Sequence, residues 1–230
     1  MNATSKLLAV AVVNGPGSKR RAQAEATRGR IIRHAYALFC DLGYKGTTMD
    51  VVAQHAGVAV QTVYFVFRTK DNLLQAVHEW TVLGDNPTPP PLQDWAIAAA
   101  AEPDGRRALR MNVAGVAAIL ARMAPMIPVF HAVSQEPAGD VLRRSEDLRR
   151  EGITDLAASL AKRTPLAPGM TRRRAADLLF VLTGPESYRA FVLGCGWSPR
   201  HWVQWVSDIL VRELFGEEPA AAATGQGRSS

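Results

Sequence analysis

The chain has 230 residues, 47% hydrophobic and 21% charged, with 27 Lys and Arg against 21 Asp and Glu and a formal net charge of +6. These are globular proportions, and no run approaches the roughly 18 uninterrupted apolar residues of a membrane span. Two cysteines, Cys40 and Cys195, stand far apart with no ligand spacing around them, which argues against a disulfide framework or a zinc site and predicts a cytoplasmic protein.

The positive charge is unevenly placed. Residues 1–84 carry ten Lys and Arg against five acids, and the remaining 146 carry 17 against 16, so a polyanion is the first partner to test at the N-terminal third. Residues 1–21 read as a flexible basic leader. The run Leu7–Val13 behind Lys6 imitates a secretion signal but barely reaches the shortest apolar core and lacks a small-x-small cleavage site. The basic group Ser18-Lys19-Arg20-Arg21, with Arg28 and Arg30, fits two descriptions equally: a solvated helix start, or an arm that follows phosphates.

From about residue 22 the chain reads as helix almost throughout. Ile31, Ala35, Leu38 and Leu42 share one face, and Gly43 is placed to end that helix. Thr48 starts a short second helix, and Thr69-Lys70-Asp71 starts one that runs through Leu73, Leu74, Val77 and Trp80 to Gly84. The proline-rich segment 85–91 cannot be helical and marks a boundary. Beyond it we predict helices at about 92–101, 104–124, 140–162, 171–194 and 199–215, with a broken piece around 125–136. The tail 217–230, rich in Ala, Gly and Ser, is predicted to be disordered. No period-two segment with hairpin signals occurs, so the fold class is all-α.

The segment from Thr47 to Phe67 carries the chemistry. Two short helices that cross steeply over a tight turn need a small residue at the crossing and one tolerant of positive φ in the turn, and Ala53 and Gly57 meet both needs. Their inner faces are apolar at Val52, Ala56, Val58, Val63 and Val66. The plain alternative is a helical hairpin within a core. Against it, the outward residues Ala59, Val60, Gln61, Thr62 and Tyr64 are small or hydrogen-bonding and none is acidic, a surface suited to a DNA major groove.

The run Ala35-Tyr36-Ala37-Leu38-Phe39, Gly43 to Thr48, Val52-Ala53, Ala56-Gly57-Val58, Thr62-Val63-Tyr64, Phe67 and Lys70 to Leu74 resembles the DNA-binding domain of TetR-family transcriptional regulators, over about residues 28–77. The resemblance implies a helix-turn-helix DNA-binding domain at 22–84, a proline-rich linker at 85–91 and a larger helical ligand-binding and dimerisation domain at 92–216. It implies a homodimer, paired through the last two helices, that binds a palindromic operator, most often to repress, and is released by a small effector. The residues it assigns to DNA are Thr48, Tyr64 and Lys70 on phosphates and Val60, Gln61 and Thr62 toward the bases or nearby backbone; Thr47 beside Thr48, and Arg28 and Arg30 of the basic group, are further DNA-binding candidates. Val66 stands where such proteins often carry histidine, removing one polar contact.

The later half is less explicit. Trp95, Met111, Met123, Met126, Phe130, His131 and Tyr188 could line a pocket for a hydrophobic or aromatic effector, although ordinary packing explains each one singly. Arg143, Arg144, Arg149 and Arg150 alternate with acids and read as a solvated face. No cofactor is implied. The five histidines lack metal-ligand spacing, and Gly184-Pro185-Glu186-Ser187-Tyr188 lacks the glycine of a nucleophile elbow, so an enzyme is not expected. A helical adaptor that binds protein instead of DNA is the alternative reading.

Overall fold

The computed structural model describes residues 17–85, 88–136 and 139–216, and among these the regular structure is entirely helical. The leader residues 1–16, Pro87 and the tail 217–230 lie outside the described residues. The N-terminal half comprises α1 (Gly17–Gly46), α2 (Met49–Ala56), α3 (Val60–Phe67) and α4 (Lys70–Leu83). Helix α1 begins five residues before the expected boundary at 22, so Lys19, Arg20 and Arg21 lie on a helix rather than in a flexible leader. Its regular path breaks at Gly43, where φ is 70°, as the glycine stop predicted.

The later half comprises α5 (Asp94–Ala101), α6 (Gly105–Met123), α7 (Ile127–Ala132), α8 (Gly139–Arg163), α9 (Arg172–Leu182), α10 (Pro185–Tyr188) and α11 (Pro199–Phe215). A π-helical turn, Arg189–Gly194, continues α10. The expected single helix over 171–194 is therefore interrupted. Pro185 has no N–H to give the preceding turn and its ring crowds that turn's carbonyl, so the chain restarts with Pro185 in a first-turn position.

Two apolar cores form. The first joins Ile31, Phe39, Val52, Val63, Leu73 and Val77 of α1–α4 with Met126, Ile127, Val129, Phe130 and Val133. Helix α7 thus belongs by packing to the N-terminal half. The second joins Leu109, Val113 and Leu120 of α6 with Leu160, Leu179, Trp202, Leu210 and Leu214. An 18-residue window within Gly105–Ala132 reaches a mean hydropathy of 1.8, the composition of a membrane span, which counting uninterrupted apolar residues did not reveal. Here its apolar residues divide between the two cores.

Arginines close several helix ends. The last carbonyls of a helix lack intrahelical partners and carry partial negative charge, so a guanidinium both bonds and neutralises them. Arg122 of α6 donates to Thr81 O at 3.0 Å and Val82 O at 3.3 Å at the end of α4. Arg163 of α8 donates to Ala99 O at 2.7 Å and Glu102 O at 3.0 Å at the end of α5. Arg106 reaches Phe215 O of α11 at 3.0 Å. Arg149 is not merely solvated: besides pairing with Glu146 it donates to Phe180 O at 3.0 Å. With Arg150 it also lies on the Phe180 ring, at 3.7 and 3.8 Å from the centroid.

Candidate nucleic-acid interface

Thr48 starts α2 with extended backbone, and its Oγ1 accepts from Val51 N at 3.2 Å, filling one orphan donor of the first turn. Helix α2 ends at Gly57 in the left-handed region, φ 63° and ψ 42°. Two amides close the turn: Gly57 N donates to Gln54 O at 3.2 Å and Val58 N to Ala53 O at 3.0 Å. Ala53 is fully buried beside Val52, Ala56 and Val63. The small crossing residue and the permissive turn residue stand where the sequence argument required them.

This arrangement sets the faces of α3. Val63 and Phe67 are buried, Val60 and Val66 are half-buried against the first core, and Gln61, Tyr64 and Phe65 are exposed. Thr62 is half-buried. Gln61 and Tyr64 are thus together on an open, uncharged face, with Thr62 at its edge. Val60 spends part of its surface on the core and has less to offer a base. Val66 is only partly inside, so the expected apolar inner face thins toward the end of α3.

Thr47 and Thr48 separate. Thr47 is fully buried, and its hydroxyl donates to Gly43 O at 2.9 Å. Its side chain locks the break after α1 and is withdrawn from any partner surface, contrary to the expectation. Thr48 is exposed. Lys70 is half-buried: Nζ donates to Tyr44 O at 2.9 Å and stands 4.1 Å from the Tyr44 ring centroid. The ammonium is thereby held in place with donors to spare. The Tyr44 hydroxyl bonds to the Asp71 carboxylate. Burial, and then this neighbour, push the Tyr44 pKa up. Arg28 lies 5.6 Å from the Phe67 ring centroid, and Arg28 and Arg30 are exposed on α1.

Sequence reasoning missed two residues here. Phe65 is 87% exposed, although its place four residues after Gln61 on a helix already put it on the same face. Arg68 follows α3 with φ 65° and ψ −51° and is the only described non-glycine residue at positive φ. No residue-type signal marks that conformation.

The seven residues expected to line an effector pocket do not form one lining. Met126 and Phe130 are buried in the first core, while Tyr188 is buried in the second with its ring 5.1 Å from that of Trp202. His131 is exposed and pairs with Glu186 at 2.9 Å. Trp95 lies across Gly115 of α6, and Met111 and Met123 are half-buried on that helix. Cys40 is half-buried beside Met126 Sδ at 3.6 Å, and burial pushes its thiol pKa up, as expected of an inert cysteine. Cys195 instead is exposed.

Residues 31–77 match the family model described as bacterial regulatory proteins, tetR family. Over 59 residues, 26% of this chain, the sequence is 44% identical to the HTH-type transcriptional regulator SrpR of Pseudomonas putida and 42% identical to the uncharacterized HTH-type transcriptional regulator TtgW of the same species. Those alignments span 28% and 44% of the relatives' own length. Among solved structures, NalD, the secondary repressor of the MexAB-OprM multidrug efflux pump in Pseudomonas aeruginosa, is similar over 84% of this chain and 98% of its own, with TM-score 0.63 and 21% identity. A regulator from Saccharomonospora viridis in complex with choline is similar over 83% of this chain and 98% of its own, with TM-score 0.65 and 18% identity. At such identities the structures establish the fold. Residues 31–77 form a DNA-binding domain of the tetR family of bacterial regulatory proteins.

Proposed function

We propose that the protein is a ligand-responsive repressor that binds a palindromic operator as a homodimer and is released by a small hydrophobic effector. The observation that carries the reading is the face of α3: Gln61 and Tyr64 exposed together, with Thr48 and Lys70 at the starts of α2 and α4. Gln61 is the side chain able to make paired hydrogen bonds to a base edge. Lys70 and Thr48 supply contacts to phosphate, which position without specifying.

Apolar surface on the last helices supports dimerisation. Val181 is 63% exposed and Leu193 53%, while Leu178, Leu182, Phe191, Val192, Trp205 and Ile209 are half-buried. Pairing two copies through α9–α11 would cover this surface and set two copies of α3 about a DNA turn or a multiple of one apart. For the effector, Trp95, Met111 and Met123 along α5 and α6 remain the residues on which to test an apolar ligand. A ligand releases DNA only as far as it prefers the non-binding arrangement.

The test is capture of genomic fragments by the purified protein, followed by titration of the recovered duplex. Gln61→Ala should lose discrimination between that duplex and a shuffled one, whereas Lys70→Ala should weaken both alike. Equal discrimination by wild type and Gln61→Ala would overturn the base-reading face, and failure to enrich any fragment would overturn DNA binding.

A further inference from the structure

Ala99 is the only buried residue of α5, and Ile97 is 53% exposed, so the half-buried indole of Trp95 is what seats this helix on α6. The ring rests on bare backbone. A Cβ on Gly115 would overlap three of its atoms, and the floor of the seat is flat only because α6 carries glycine there. Met111 and Ile119, one turn to either side of Gly115, are half-buried and continue the same apolar face. The rim holds one oriented polar group. Trp95 Nε1 donates to Gln93 Oε1 at 2.8 Å, and Gln93 Nε2 donates to Thr88 O at 3.0 Å. An indole N–H only donates and a backbone carbonyl only accepts, so this carboxamide has a single orientation, with its oxygen toward the ring.

A flat apolar floor with a fixed acceptor at its edge describes a ligand: a planar heteroaromatic ring that carries an N–H. A molecule of that class makes the contacts the indole makes, the bond to Gln93 included, and so offsets the cost of moving the indole out. Resting on the ligand-responsive reading above, we propose that the seat of Trp95 is the effector subsite, filled at rest by the protein's own indole, and that the effector is a planar N–H heteroaromatic that takes the indole's place. The exchange unseats α5 from the helix whose Arg122 closes the end of α4, which connects the subsite to the N-terminal half.

The probes are indole and 1-methylindole, which has the same ring and no N–H, and the first readout is thermal melting, which needs no DNA. Trp95→Ala should melt about 5–10 °C lower than wild type. Indole at ten times its Kd should raise the melting temperature of that variant by about 3–6 °C. The rise should be smaller with 1-methylindole and absent when Gly115→Leu is added to Trp95→Ala, because the leucine fills the seat. No rise in Trp95→Ala, an equal rise with 1-methylindole, or a rise kept in the double variant overturns the proposal. In the unsubstituted chain, unlabelled indole should shift the one of the five indole 1H–15N signals that Trp95→Phe lacks; a signal that does not move overturns the proposal even if Trp95→Ala fails to fold. Indole that moves this signal but leaves affinity for the captured genomic duplex unchanged would refute the ligand-responsive reading and leave the binding site standing.

Discussion

Gly115 lies on α6 directly beneath Trp95. A Cβ there would stand 2.1 Å from Trp95 Cε3, 2.2 Å from Cδ2 and 2.8 Å from Cγ. The indole cannot swing aside without cost, because Nε1 donates to Gln93 Oε1 at 2.8 Å. Two effects compete in Gly115→Ala. Helix propensity favours alanine by about 1 kcal/mol. Overpacking costs about 1–3 kcal/mol, and loss of the indole hydrogen bond about 1 kcal/mol more. We expect a net destabilisation of about 2 kcal/mol and a melting temperature lower by about 4–8 °C for a chain of this size. Gly152 supplies the control. It is exposed on α8, and a Cβ there meets nothing within 4 Å, so Gly152→Ala should stabilise by up to about 1 kcal/mol. Thermal melts followed by circular dichroism compare the two directly. If Gly115→Ala melts as high as Gly152→Ala, Trp95 does not seat on α6 and the packing of α5 described here is wrong.

Three further outcomes are expected. His78 is buried on α4 with its ring 5.4 Å from that of Phe130, and burial lowers its pKa below the usual 6.5. The unfolded chain therefore binds the proton more readily, so this contribution to stability is present above pH 6.5 and lost as pH falls below it; urea titrations at falling pH should show a smaller loss for His78→Phe than for wild type. Thr48→Asp preserves the α2 cap, since aspartate accepts the same amide bond, but sets a negative charge toward phosphate; the variant should melt at least as high as wild type and bind duplex at least tenfold more weakly, and unchanged binding would remove Thr48 from the interface. Arg122→Leu deprives the end of α4 of two charge-assisted bonds that are only half-buried, which we expect to cost about 2 kcal/mol in denaturant titration; an unchanged midpoint would refute the cap.

The crossing of α2 and α3 was legible because it makes demands that few residue types satisfy at once. Ala53 had to be small, Gly57 had to accept φ 63°, and Thr48 had to accept an amide bond, and each demand points to one position. Thr47 was misplaced for the opposite reason. It adjoins Thr48 and has the same chemistry, and only the irregular backbone at Gly43 turns its hydroxyl inward to Gly43 O. Arg68 was invisible because its positive φ follows from the short link between Phe67 and the Thr69 cap, which composition does not record.

The later half was less legible because apolar periodicity identifies a face without naming its neighbour. Met126 and Trp202 are both large apolar residues of the later half, yet one is buried among α1–α4 and the other in the second core. That division bears on how the halves communicate. In sequence the proline-rich segment is the connection, but Met126–Val133 are packed into the N-terminal core and Arg122 closes the end of α4. Both stand at or beyond the last turn of α6, whose middle carries Gly115 under Trp95. A shift of α6 driven from the Trp95 end would therefore act on α4 and the support of α3 through packed side chains and a fixed guanidinium. Close-packed groups transmit such a displacement.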